Sequence, residues 1–149
     1  MKNEVLNKLE RLQGYAKILN SYKKYSIQDI NEDFTLRGAI ERYLEVSLEC
    51  VLDIGEMVIS KEGFRKPETY KEIIEILGEE GILPKGFAER FAEAAKFRNI
   101  LVHMYAEVDV ETVYKVLQNN LGDFDEFAKY IARYLEKEEE LEIRKVIEK

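Results

Sequence analysis

Apolar residues recur along this chain with a helical period from its first turn onward. Val5, Leu9, Leu12, Ala16 and Leu19 share one face of a helix predicted from about Asn3 to Tyr22, which Gly14 weakens slightly. After a KKYS turn, Ser26 with Asp29 offers a helix start for a short piece. A long helix then spans roughly Asp33 to Ser60. One of its stripes is Leu36, Ile40, Tyr43, Ser47, Cys50, Ile54 and Val58, yet Leu44, Val46, Leu48, Val51 and Met57 spread apolar surface well around the cylinder. A single helix neighbour would not bury all of it. The remaining face carries Glu41, Glu45, Glu49, Asp53 and Glu56 at spacings of three and four, a line of carboxylates that reads first as a solvated face.

Gly63 and Pro67 punctuate a loop, and PETYKEIIEILGEEG predicts a short third helix. Gly81 and Pro84 then supply a stop followed by a first-turn proline. The fourth helix runs from about Pro84 to Tyr105. Asp109 can cap a fifth helical region, broken around NNLGD before FDEFAKYIARYLEKEEELEIRKVIEK. The charged tail, about 137–149, is expected to face solvent or fray. The pattern therefore predicts an all-α fold, one bundle of about five helices.

Composition narrows this further. The chain has 149 residues, 46% hydrophobic and 36% charged, with two prolines and no tryptophan, so one helical domain over 1–149 is expected and a second is not. No apolar run approaches the roughly 20 residues of a membrane span, so a soluble, cytoplasmic protein is expected. The single cysteine, Cys50, lies in the apolar run LECVLDIG and reads as core filler. A net charge of −7 argues against a surface that coats nucleic acid through general phosphate neutralisation, so any such contact must be local.

The candidate chemistry lies on the fourth helix. At about 100° per residue, Phe87, Phe91, Ala94, Leu101 and Tyr105 form one stripe, with Arg98 in its middle. A guanidinium there needs an acidic partner such as Glu49 or Asp53, a wet cleft, or an anionic ligand, because burying it unpaired costs several kcal/mol. His103 is the only histidine, and its unperturbed pKa of about 6.5 suits proton transfer near neutrality. Arg98 and His103 are five residues, about 140°, apart on a straight helix, so either the helix distorts or two copies contribute to one site. A reaction in which one group takes a proton and another gives one would favour two copies, since each chain has one histidine. The broadly apolar second helix offers a dimer surface. A metal site on the carboxylate line lacks support, since the histidine is elsewhere and no Asp/Glu-x-x-His pair occurs on that helix.

The segment F-R-N-I-L-V-H-M-Y resembles the R-x4-H-x-Y signature of HepT toxins in the HEPN superfamily, including a polar residue, Asn99, directly after the arginine. TLRGAIERYLEVSLECVLDIGEMVIS, PETYKEIIEILGEEGILP, FAERFAEAAKFRNILVHMYAEVD and VYKVLQNNL look like that family's successive helices, so the likeness covers most of the chain. It implies an antiparallel HEPN-like bundle acting as a homodimer, with two motifs facing one cleft, as a metal-independent endoribonuclease. Arg98 would bind and stabilise the phosphate, His103 would handle the proton or position the 2′-hydroxyl, and Asn99 would assist by hydrogen bonding. The implied partner is an MntA-type nucleotidyltransferase antitoxin that transfers AMP from ATP onto the motif tyrosine, Tyr105. ATP would serve that partner, and this chain would need no cofactor of its own. Lys96, Arg90 and Arg37 are basic groups that could guide RNA, although scattered surface cations usually have no such role.

Two other readings stay open at this level. The chain could be a non-catalytic subunit presenting substrate or nucleotide to a separate nucleotidyltransferase. It could also be a helical dimerisation module in which Arg98 is a core salt-bridge residue and Tyr105 a core aromatic.

Overall fold

The computed structural model describes residues 1–103 and 108–148, with His103 described in its backbone alone. The described residues form seven helices: α1 (Lys2–Ser21), α2 (Ile27–Glu32), α3 (Phe34–Glu62), α4 (Tyr70–Glu79), α5 (Lys85–His103), α6 (Val110–Asn119) and α7 (Gly122–Ile147). The expected short piece after KKYS is α2, and the break around NNLGD divides the fifth region into α6 and α7. Among the described residues no helix is long and apolar enough to cross a membrane.

The helix boundaries have local causes. Ser26 and Asp29 form a reciprocal capping box, in which the Asp29 backbone N–H donates to Ser26 Oγ and the Ser26 N–H to Asp29 Oδ2. Asp33 accepts from the Leu36 N–H to open α3, and Asp109 accepts from the Glu111 N–H to open α6. Gly63 ends α3 at φ 71°, a left-handed conformation that glycine adopts without a Cβ penalty. The Pro84 carbonyl accepts from the Ala88 N–H at 2.9 Å, so α5 starts immediately after the proline.

α3 is the central helix and packs against α1, α2, α4, α5 and α7. Its apolar residues on several sides, among them Ile40, Leu44, Leu48, Val51, Ile54, Val58 and Ile59, are buried in the protomer's own core. These side chains are used within the protomer, and what α3 leaves partly open to a second chain is Leu36, Tyr43, Val46 and Met57. Its broad apolar girth is taken up by five neighbouring helices, at roughly 1.5–3 kcal/mol per large side chain removed from water. Phe34, its first residue, is 80% exposed.

Close approach between α3, α4 and α5 depends on two glycines. A Cβ on Gly55 would collide with the Ile73 side chain, and one on Gly78 would meet Ala88 Cβ at 2.5 Å. The α3–α4–α5 layer is the part of the bundle that carries the candidate site. Across the bundle, α7 is tied to α3 where the Tyr134 hydroxyl donates to Glu62 Oε1 at 2.5 Å. The charged tail is exposed and helical as far as Ile147, with Ile143, Val146 and Ile147 open to solvent. Cys50 is buried, as core filler should be, and burial pushes its thiol pKa up.

Candidate active site around Arg98

The first half of α5 is fixed by aromatic packing. Phe87 and Phe91 stack at 5.0 Å between ring centroids, and Phe91 meets Phe124 and Phe127 of α7 at 6.2 and 5.6 Å. Two turns further along the same stripe the chain places Arg98, whose side chain is 17% exposed. It is the polar interruption that the helical period predicts.

Three groups surround its guanidinium. Nη2 lies 3.5 Å from Glu49 Oε1 on α3. Nη1 donates to Asn99 Oδ1 at 3.5 Å, the long limit for such a bond. Beneath them, Cζ sits 4.8 Å from the ring centroid of Tyr70, the first residue of α4. A cation over an aromatic face at this range gains about 0.5–2 kcal/mol, more as the pair loses water. The ion pair contributes about 1 kcal/mol or less, because Glu49 is 37% exposed and 3.5 Å exceeds the 2.7–2.9 Å of a charge-assisted hydrogen bond. The fifth donor, on Nε, is buried with no hydrogen-bond partner among the described residues. Such an orphan costs about 1–3 kcal/mol. A guanidinium placed only for stability would be better satisfied than this.

Tyr70 carries no signal in the sequence. It follows Thr69, whose hydroxyl accepts from the Glu72 N–H, and the Glu72 carboxylate accepts in turn from the Glu68 N–H at 2.9 Å. Arg65 braces the same segment through Glu72 at 3.2 Å and Glu79 at 2.9 Å, which raises the Arg65 pKa and lowers that of Glu79. The start of α4 is therefore pinned, and Tyr70 with it. Its meeting with Arg98 is tertiary, made by the α4–α5 hairpin folding onto itself across Gly78.

The line of carboxylates on α3 is not simply solvated. Glu41 pairs with Arg37 at 2.9 Å, Glu45 with Arg42 at 3.0 Å, Asp53 with Lys8 at 3.1 Å, and Glu49 with Arg98. Of the two acids expected to meet Arg98, Glu49 does so and Asp53 is engaged elsewhere. The basic groups considered as RNA guides are also committed: Arg90 to Asp123 and Glu126, Lys96 to Glu93, and Arg37 to Glu41 and the Val108 carbonyl. A groove of about 630 Å³ between α4 and α5 is lined by Glu75, Glu79, Glu89 and Glu93 together with Lys71 and Lys85, a balance that stays negative and does not favour RNA phosphates.

The α5 backbone is α-helical through His103, so no distortion brings the directions of residues 98 and 103 together within one chain. The His103 side chain and Tyr105 lie outside the described residues. Asn99 is exposed beside Arg98, with its Oδ1 toward the guanidinium and its amide nitrogen still a donor.

Comparison with known proteins agrees with this picture. The mRNA nuclease HepT of Shewanella oneidensis is 23% identical over 127 residues, covering 85% of this chain and 95% of that protein. The tRNA nuclease HepT of Aphanizomenon flos-aquae is 28% identical over 128 residues, 86% of this chain and 87% of its own length. Among solved structures, the fold matches the tri-AMPylated HEPN toxin of S. oneidensis, described in complex with an MNT antitoxin. The TM-score is 0.80 at 22% identity, over 89% of this chain and 99% of that one. The family described as "Ribonuclease HepT-like" matches residues 6–131, a span holding Glu49, Tyr70 and the whole Arg98–Tyr105 segment. That match covers well over half of the chain, and the all-helical bundle agrees with it: this chain is a member of the HepT-like ribonucleases.

Proposed function

We propose that this family member is the toxin of a HepT/MntA-type toxin–antitoxin pair, a homodimeric, metal-independent endoribonuclease held in check by AMP transfer to Tyr105. The observation that carries the reading is Arg98: a guanidinium set into an apolar stripe, held by a cation–π contact and one long ion pair, with Nε lacking an acceptor among the described residues. An RNA phosphate supplies acceptors of the matching charge and geometry.

The chemistry follows from placing that guanidinium at a phosphodiester. The 2′-oxygen attacks the adjacent phosphorus, the bond to the 5′-oxygen breaks, and Arg98 stabilises the charge that develops on the non-bridging oxygens. One imidazole takes the 2′-hydroxyl proton and another protonates the departing 5′-oxygen. Each chain has one histidine, His103, so a two-fold dimer provides both. Asn99 offers its amide nitrogen to a phosphate or sugar oxygen. In the off state the Tyr105 hydroxyl oxygen is joined to the α-phosphorus of ATP by the partner nucleotidyltransferase, and pyrophosphate leaves. The added phosphate puts negative charge near the groups that must receive RNA.

The test is incubation of purified protein with RNA. Cleavage that is lost in Arg98→Ala and in His103→Ala, with both variants folded, is the expected result. Intact mass after mixing with ATP and the antitoxin should show adenylation that Tyr105→Phe abolishes. A stable complex with the nucleotidyltransferase and no cleavage from unmodified protein would select a non-catalytic subunit instead.

A further inference from the structure

The geometry points to Tyr70 as a positioning residue for Arg98: its ring is the platform that holds the guanidinium in the plane from which it meets RNA phosphate. This rests on the ribonuclease reading above and adds a residue on a different helix to it.

Four observations converge. Cζ of Arg98 lies over the Tyr70 ring, 4.8 Å from its centroid, so that side of the guanidinium is covered by the ring. Nε is buried without an acceptor, so that edge of the fork is closed to a ligand. The remaining contacts, to Glu49 and Asn99, are both 3.5 Å, too long to fix an orientation by themselves. Tyr70 stands on a helix start pinned by the Thr69 cap and by Glu72, which makes its ring a rigid support. With the ring on one side and Nε enclosed, phosphate is met by the Nη1–Nη2 end of the guanidinium, where Glu49 and Asn99 now sit. The loose Glu49 contact then yields to phosphate, while the ring contact persists.

The ring matters here and the hydroxyl does not, so Tyr70→Phe and Tyr70→Leu separate positioning from bulk. In RNA cleavage, Tyr70→Leu should lower kcat about 3- to 30-fold with KM within about twofold, the loss that a cation–π contact of ordinary strength predicts. Tyr70→Phe should stay within about twofold of the unsubstituted protein in both. In the free protein, a 1H–15N spectrum tuned to arginine side chains should show the Arg98 Nε–H shifted by the ring and slow to exchange, identified by its loss in Arg98→Lys. Tyr70→Phe should keep that signal, and Tyr70→Leu should move it to the position and exchange rate of exposed arginines. If Tyr70→Leu does not fold, Tyr70→Met, similar in bulk, takes its place with the same expectations.

An Arg98 signal and a kcat both unmoved by Tyr70→Leu would overturn the inference, as would a Tyr70→Phe variant as impaired as Tyr70→Leu. If the unsubstituted protein cleaves no RNA, the ribonuclease reading fails by itself. The platform is then decided by the Arg98 Nε–H signal, lost without the ring or unchanged.

Discussion

At the scale of single residues, Arg98 has two contrasting descriptions with different consequences. As a structural salt bridge its removal would strand a buried carboxylate and cost about 3–5 kcal/mol. The observed pair is long, its acid is partly exposed, and Nε is orphaned, so losing the guanidinium also removes an unsatisfied donor. We therefore expect Arg98→Ala to change the unfolding free energy by less than about 1 kcal/mol in urea titration while cleavage is abolished. The sequence made the residue conspicuous because helical period alone sets an always-charged group among Phe87, Phe91 and Leu101. It also put Glu49 among the possible partners, because the acids of α3 share one face. Tyr70 was illegible for the opposite reason: nothing in its neighbours along the chain refers to α5, and only tertiary packing joins them.

At the scale of helices, caps and punctuation were legible because their partners are three or four residues away, as with Ser26 and Asp29 or Asp109 and Glu111. How many neighbours a helix has is not local information, so the apolar girth of α3 did not tell how much of it the chain's own five neighbouring helices would cover. The glycines of the α3–α4–α5 layer give a direct check. Gly78→Ala places a Cβ 2.5 Å from Ala88 Cβ and should destabilise the protein by about 1–3 kcal/mol in urea titration. An exposed helical glycine would gain from the same change. The clamp between α7 and α3 adds a pH dependence. Burial, and then the Glu62 carboxylate, hold the Tyr134 hydroxyl protonated well above the ordinary tyrosine range. The folded state then binds more protons than the unfolded one above about pH 10, so this contribution is complete below that pH and is lost as pH rises past it. Tyr134→Phe should cost about 1–3 kcal/mol at neutral pH, and the gap to the unsubstituted protein should close progressively above pH 10 in urea titrations.

At the scale of the whole molecule, the account is of a dimer whose two motifs make one reaction centre. An α5 that stays α-helical through His103 sets backbone positions 98 and 103 about 140° apart around the helix, and the arithmetic of one histidine per chain leads the same way. A heterodimer pairing one intact chain with one His103→Ala chain should be as inactive as the doubly substituted dimer, because acid and base come from different copies. Retention of half the activity would mean that each chain works alone. The central claim, that this chain cleaves RNA with Arg98 and His103 and without metal, is tested most directly by incubating the purified, unmodified protein with RNA in excess EDTA. The Arg98→Ala and His103→Ala proteins run beside it. The account predicts cleavage that EDTA leaves intact and either substitution abolishes; RNA left whole by the unmodified protein, or cut equally well by the two variants, would contradict it.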